Sequence, residues 1–298
     1  MMEAKGLQKG FGSVKVLEEL SIQIPTGSIY GLVGPNGSGK STLLRLLCGV
    51  YRPEAGEVLV DGEPVYENTG SKGKVFLLPD DLWFPPGATI REMARFYQGL
   101  YPTFHQGEFE RLCGVFQMDP GARISSLSKG MRRQGALLLA LSCRTPYLLL
   151  DEAFDGLDPV VRLLARRLIV QEVASRQVAV VFSSHNLREL EELCDHIGLL
   201  HGGKILLERE LDQLKAGFCK VQAAFPELVD WQGTGLVILQ RQQRGNLASL
   251  LVKGSPDETL AVLEGYAPLF IEALPLTLEE IFIGEMEAAG YDYNQVLA

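Results

Sequence analysis

Two hydrophobic periods alternate along most of the chain, and their order predicts an α/β fold. Residues 17–24 alternate apolar and polar, as a half-buried strand does, and a Pro25-Thr26-Gly27 turn leads into a short apolar strand over 28–34. The glycine-rich run 34–39 follows at once, and residues 41–50 then repeat apolar positions at helical spacing. More short strands are predicted over 57–65 and 73–79, separated by turns holding Gly, Asn and Ser. Residues 90–144 read as mainly helical: Ile90, Met93, Phe96 and Tyr97 share a face, and 135–142 is apolar nearly all round, as in a buried helix. Residues 147–151 and 178–184 are continuous apolar runs of the central parallel type, and the helical stretch 161–176 between them makes a βαβ unit. Past residue 215 the character changes. Short strands at 220–225, 235–243, 248–254 and 268–275, a helix at 255–266 and a terminal helix at 277–290 predict a small α+β appendage. The expected division is one domain over 1–215, with a helical part at about 85–145, and an appendage over 216–298.

A chain of 298 residues, 46% of them hydrophobic, suffices for one large core or for one large and one small. Charged residues make up 22%, as in ordinary globular proteins, so nothing suggests disorder. The net charge of −9 disfavours non-specific nucleic-acid binding, which needs a concentrated positive surface, but leaves room for a mononucleotide site. The five cysteines are Cys48, Cys113, Cys143, Cys194 and Cys219; their odd number and the lack of a C-x-x-C pair indicate neither a disulfide framework nor a zinc site. The N-terminus lacks the apolar stretch of a signal peptide, and the longest apolar run falls far short of the about 20 residues that span a bilayer. A soluble, cytoplasmic protein without direct membrane insertion is expected, with any membrane part supplied by another chain.

The chemistry begins at Gly34-Pro35-Asn36-Gly37-Ser38-Gly39-Lys40-Ser41, a full G-x-x-x-x-G-K-[ST] loop between strand and helix. Its glycines let backbone N–H groups converge on an anion, and the helix start adds its positive dipole end. Lys40 suits the β- and γ-phosphates and Ser41 suits Mg²⁺, with Thr42 beside it. The second signal is the apolar strand ending in Asp151 and Glu152, two adjacent acids that are costly there unless used. Asp151 suits water-mediated Mg²⁺ coordination, and Glu152 suits polarising an attacking water.

In this order the chain resembles the ATP-binding cassette (ABC) family, of the single-cassette bacterial exporter type. Leu127-Ser128-Lys129-Gly130-Met131 stands where that family has its LSGGQ signature, with Lys129 and Met131 as departures. The resemblance implies that Ser128 and the Gly130 backbone contact the γ-phosphate of ATP held by a partner subunit. It implies that Asp158, in Gly156-Leu157-Asp158, communicates across the dimer, that His185 contacts the γ-phosphate, and that Phe11 stacks on adenine. The family commonly has Gln where this chain has Asp80, in Leu77-Leu78-Pro79-Asp80-Asp81. Asp is shorter and cannot donate, yet it can accept from a metal-bound water, so Asp80 joins Ser41 and Asp151 as a candidate metal residue.

The resemblance further implies ATP and Mg²⁺ as cofactors and a second cassette as partner, a homodimer in the simplest case. Each ATP would lie between residues 34–42 of one copy and Ser128–Gly130 of the other. A separate transmembrane permease would place the protein at the inner face of the cell membrane, and Leu82, Trp83, Phe84, Pro85 and Pro86 form a candidate dock for it. The segments around 79–97 and the ending Pro275–Ile283 look most like exporters of peptides, antibiotics or other hydrophobic cargo. The alternatives are an ABC-type ATPase of nucleic-acid metabolism and a regulatory module that binds ATP without turnover. Against the first stand the missing coiled-coil insertion and missing Cys pairs; against the second stand Glu152 and His185. Tyr291 and Tyr293 in the tail read as solvated.

Overall fold

A computed structural model describes residues 1–227 and 229–288; Tyr291 and Tyr293 lie outside the described residues. The chain opens with β1 (Met2–Phe11), β2 (Val14–Ile24), β3 (Ile29–Val33), α1 (Lys40–Leu47), β4 (Ala55–Val60), β5 (Glu63–Pro64), α2 (Thr69–Lys72) and β6 (Val75–Leu78). Three helices follow, α3 (Ile90–Leu100), α4 (Gln106–Val115) and α5 (Lys129–Cys143). Then come β7 (Tyr147–Asp151), α6 (Pro159–Arg176), β8 (Ala179–Ser183), α7 (Leu187–Leu193), β9 (His196–His201) and β10 (Lys204–Glu210). The last stretch holds α8 (Leu211–Ala216), β11 (Phe218–Ala224), β12 (Val237–Arg244), β13 (Leu247–Lys253), α9 (Pro256–Glu264), β14 (Phe270–Leu274) and α10 (Leu278–Ala288). Contacts divide the chain into two compact units, Met1–Glu208 and a second that begins at Arg209, so α8 falls in the second.

The first unit carries two sheets. One is six-stranded in the order β10-β9-β3-β8-β7-β6, and β9, β3, β8, β7 and β6 pair in parallel. The other is antiparallel, in the order β2-β1-β4-β5. The apolar runs of β3, β7 and β8 are buried at every position, which is why they read as unbroken in sequence. Leu43, Leu44 and Leu47 of α1 share one core with Leu20 and Ile22 of β2 and with Leu32 and Leu149 of the parallel sheet. Each such side chain contributes about 1.5–3 kcal/mol by leaving water, and together they fix α1 and the loop before it. Helix α3 starts in a capping box, Thr89 accepting from the Glu92 N–H while Glu92 accepts from the Thr89 N–H. Sequence periodicity does not reveal β1. Gly6, at φ +58°, interrupts the alternation, and the register with β2 and β4 slips along the strand.

The second unit is an antiparallel sheet in the order β12-β13-β11-β14 with its own core, in which Val221, Leu250, Val252 and Trp231 meet Leu263 of α9. All five cysteines are buried thiols.

Candidate functional site

β3 delivers the glycine-rich loop directly onto α1. Gly37 and Gly39 hold left-handed backbone, φ +80° and +107°, which turns the chain into the helix at Lys40. A Cβ at Gly34 would strike the Leu200 carbonyl oxygen and the Ser38 hydroxyl, so the loop is bare backbone there. Such a cradle in front of a helix N-terminus binds anions. Lys40 folds back over it, Nζ donating to the carbonyls of Gly34 (2.6 Å) and Pro35 (3.2 Å). The lysine is only 8% exposed. Burial lowers its pKa, while the Glu152 and Asp151 carboxylates oppose that shift. The Ser38 hydroxyl is buried without a partner, and a phosphate oxygen would satisfy it. Pro35 is half-buried and Asn36 exposed at the crest, while Ser41 and Thr42 lie in the first turn of α1. These features fit the phosphates of a nucleotide.

The two acids lie at the end of β7, one strand from β3 across β8. Asp151 is 3% exposed and accepts from the Ser183 hydroxyl at 2.6 Å, its register partner on β8. Glu152 sits at φ +47°, a backbone state that a non-glycine residue holds only when its surroundings impose it. Its N–H is anchored on the Ser183 carbonyl at 3.1 Å, and its Oε2 meets His185 Nδ1 at 2.9 Å. Burial raises the Glu152 pKa, and His185 and Lys40 pull it back down. The structure thus gathers Lys40, Asp151, Glu152 and His185 into one electrostatic group. Among the described residues no group of three or more His, Cys, Asp or Glu side chains encloses a metal. A divalent ion would draw on Ser41, Asp151, water and the nucleotide, a sparse protein ligand set that suits Mg²⁺.

Ser128 caps α5, its Oγ accepting from the Met131 N–H at 3.2 Å, and Gly130 lies so close to the Gly156 carbonyl that a Cβ would approach within 2.6 Å. Asp158 caps α6, accepting from Val160 and Val161 at 3.0 Å each, with Pro159 in the first turn. Asp80 is ion-paired: Arg133 Nη2 donates to its Oδ1 at 2.8 Å, which commits that oxygen to the guanidinium. Phe11 ends β1 half-exposed, edge-on to Tyr51 at 5.4 Å with Lys9 Nζ 5.2 Å from its ring. Trp83 is 77% exposed beside Pro85 and Pro86, while Leu82 and Phe84 are half-buried. Sequence reasoning misses Ser183, Tyr51, Asp155 and Arg133. The one local signal is the place of Ser183 within the run 178–184 that leads to His185; the others gain their roles from distant chain.

The sequence profile of the ABC transporter family matches residues 17–155. ABC transporter ATP-binding protein YtrB of Bacillus subtilis (strain 168) is 31% identical over 96% of this chain and 98% of its own length. Nod factor export ATP-binding protein I of Bradyrhizobium sp. (strain SNU001) is 30% identical over 93% of each chain. A solved structure of an ATP-binding subunit of an ABC transporter superposes with a TM-score of 0.68 at 25% identity, covering 72% of this chain and 92% of that one. The phosphate loop, the paired acids at a strand end and these likenesses agree, and the chain belongs to the ABC transporter family as an ATP-binding subunit.

Proposed function

We propose that this subunit hydrolyses ATP as one half of a nucleotide-sandwich homodimer and drives export through a separate membrane subunit. The observation that carries the reading is the buried acid pair, with Glu152 held at φ +47° against His185 and facing the charge of Lys40. A carboxylate that burial makes more basic is suited to take a proton from an attacking water. Residues 34–42 hold the phosphates, Lys40 neutralises charge at the transferred group, and His185 orients Glu152. Ser128 and the Gly130 backbone, on the N-terminus of α5, offer donors to the nucleotide of the other copy, so a lone protomer hydrolyses slowly. Ser41 and Asp151 would hold Mg²⁺, which would supply Lewis-acid polarisation of the phosphates. Phe11 and Tyr51 offer the base an aromatic platform.

Among the described residues no helix is long and apolar enough to cross a membrane, which fits a partner that supplies the membrane path. The exposed Trp83, with Pro85 and Pro86, is the surface we assign to that partner. Export rests on the exporter-like segments of the sequence and on the likeness to a relative named for Nod factor export. In the same reading residues 1–215 are the cassette and 216–298 the appendage.

The test compares wild type with Glu152→Gln in Mg²⁺ and ATP, following mass in solution and phosphate release. The variant is expected to form an ATP-dependent dimer and to lose about 10²–10⁴-fold in turnover. A variant that hydrolyses at the wild-type rate removes Glu152 as base. A wild type that binds ATP without turnover, even with its membrane partner, replaces this reading with the regulatory module.

A further inference from the structure

Lys129, a departure from the family signature, and Arg133 are four residues apart in α5 and therefore stack on one helix face, a turn apart. Each grips an acid of the strand layer. Lys129 Nζ donates to Asp155 Oδ2 at 2.6 Å. Arg133 donates through Nη2 to Asp80 Oδ1 at 2.8 Å and through Nη1 to the Pro79 carbonyl at 3.0 Å. Asp80 follows β6 and Asp155 follows β7, and these strands are parallel neighbours in register from Val75↔Tyr147 to Leu78↔Leu150. The two acceptors thus leave the same end of adjacent strands. Backbone contact closes the space between: the Lys129 stem lies where a Cβ on Gly156 would meet it at 3.6 Å, and Gly130 abuts the Gly156 carbonyl.

We infer that Lys129 and Arg133 form a two-point clamp that fixes Ser128 and Gly130 to the ends of β6 and β7, with Asp80 and Asp155 as positioning residues. Asp80 then serves the signature helix in place of metal contact. The two points differ in kind. Arg133 is 2% exposed and Asp80 56%, so losing Asp80 would leave a buried guanidinium on the Pro79 carbonyl alone, and salt screens this point less. Lys129 and Asp155 are 70% and 40% exposed, so salt screens them and the contact can exchange. The Lys129 ammonium holds the Asp155 carboxyl below the usual carboxylate range, as expected of a formed pair. Asp155 lies in the turn between Glu152 and Asp158, so the clamp ties the signature to the loop bearing the base of the same protomer. The signature completes the site of the other copy, so the inference rests on the sandwich reading above.

The test measures, in the Glu152→Gln protein, the ATP concentration at half-dimerisation and the ATP affinity of the protomer. Lys129→Met keeps the stem over Gly156 and removes only the charge; Asp155→Asn removes the acceptor charge. Each is expected to raise the half-dimerisation concentration about two- to fivefold, the worth of an exposed ion pair, and to leave protomer affinity unchanged. The double variant should be no worse than either single, and the swapped pair Lys129→Glu with Asp155→Lys should restore assembly. High salt should erase the difference between wild type and single variants. A defect in Lys129→Met with a normal Asp155→Asn and no rescue by the swap would mean that Lys129 touches the partner's nucleotide itself, and overturns the clamp. Variants that all assemble like their parent overturn it too. Failure of the parent to dimerise with ATP strikes the sandwich reading first and removes the clamp's role with it.

Discussion

Glu152 concentrates opposing demands on one residue. Its backbone is left-handed at φ +47°, its carboxylate is mostly buried, and His185 and Lys40 offset only part of the burial that raises its pKa. The raised value has opposite consequences for stability and for rate. The folded state holds the Glu152 proton more tightly than the unfolded chain does. Its contribution to stability is therefore greatest below the ordinary carboxylate range and is lost as pH rises through the folded pKa. At neutral pH, above the ordinary carboxylate range, the burial that raises this pKa costs stability. Glu152→Gln should accordingly raise the melting temperature at neutral pH, and the gain should shrink in acid; thermal scans across pH check both. Turnover moves the other way. In its proposed role as base Glu152 acts only when ionised, so the acid limb of kcat/KM, which reports the free protein, should lie above the range of an exposed glutamate. An acid limb at the ordinary carboxylate position would show that burial does not tune this group.

At the scale of elements, α5 joins the signature to the sheet through Arg133. Removing its partner strands a buried guanidinium on the Pro79 carbonyl alone, whereas removing Arg133 leaves a 56% exposed Asp80 that water can solvate. Asp80→Ala should therefore cost about 1–3 kcal/mol, and Arg133→Met, which fills the same space with apolar atoms, distinctly less. Urea titration of the two variants checks the order, and equal losses would mean that the stranded guanidinium carries no desolvation penalty of its own. The same helix marks what the sequence discloses. β3, the phosphate loop and α1 are legible because strand, glycines and helix are consecutive. β7 and β8 are legible because central parallel strands are apolar throughout. Lys40, Asp151 and Glu152 are legible because a glycine-rich loop ending in Lys and an apolar strand ending in two acids are local patterns. β1 is not legible because Gly6 breaks its period. Ser183 reaches Asp151 only through cross-strand register, and Arg133 and Asp155 meet Asp80 and Lys129 only because α5 lies over the ends of β6 and β7. Long-range pairing of this kind leaves no local pattern.

For the whole molecule, the question is what the unit beginning at Arg209 contributes. The phosphate loop, the acid pair, His185, the signature and the cap Asp158 all fall in Met1–Glu208, whose core includes α1 and both its sheets. The second unit has a separate core around Val221, Leu250 and Val252, closed by Leu263. Units with separate cores fold and bind independently unless a ligand site needs both. Cutting at the unit boundary would shorten β10, an edge strand of the six-stranded sheet, so a chain ending at Glu210 is the cleaner experiment. Residues 1–210 should unfold in one cooperative step and bind ATP within about twofold of the full chain, the tolerance expected between independent sites. Calorimetry and equilibrium ATP binding check this. The informative comparison is then dimerisation in the Glu152→Gln background. If the shortened chain binds ATP and dimerises like the full one, the second unit serves something other than the sandwich. If it binds ATP but no longer dimerises, the second unit supplies part of the dimer contact, and the two-site geometry depends on residues outside the cassette. A shortened chain that loses ATP affinity would show that the units are not energetically separate, despite their separate cores.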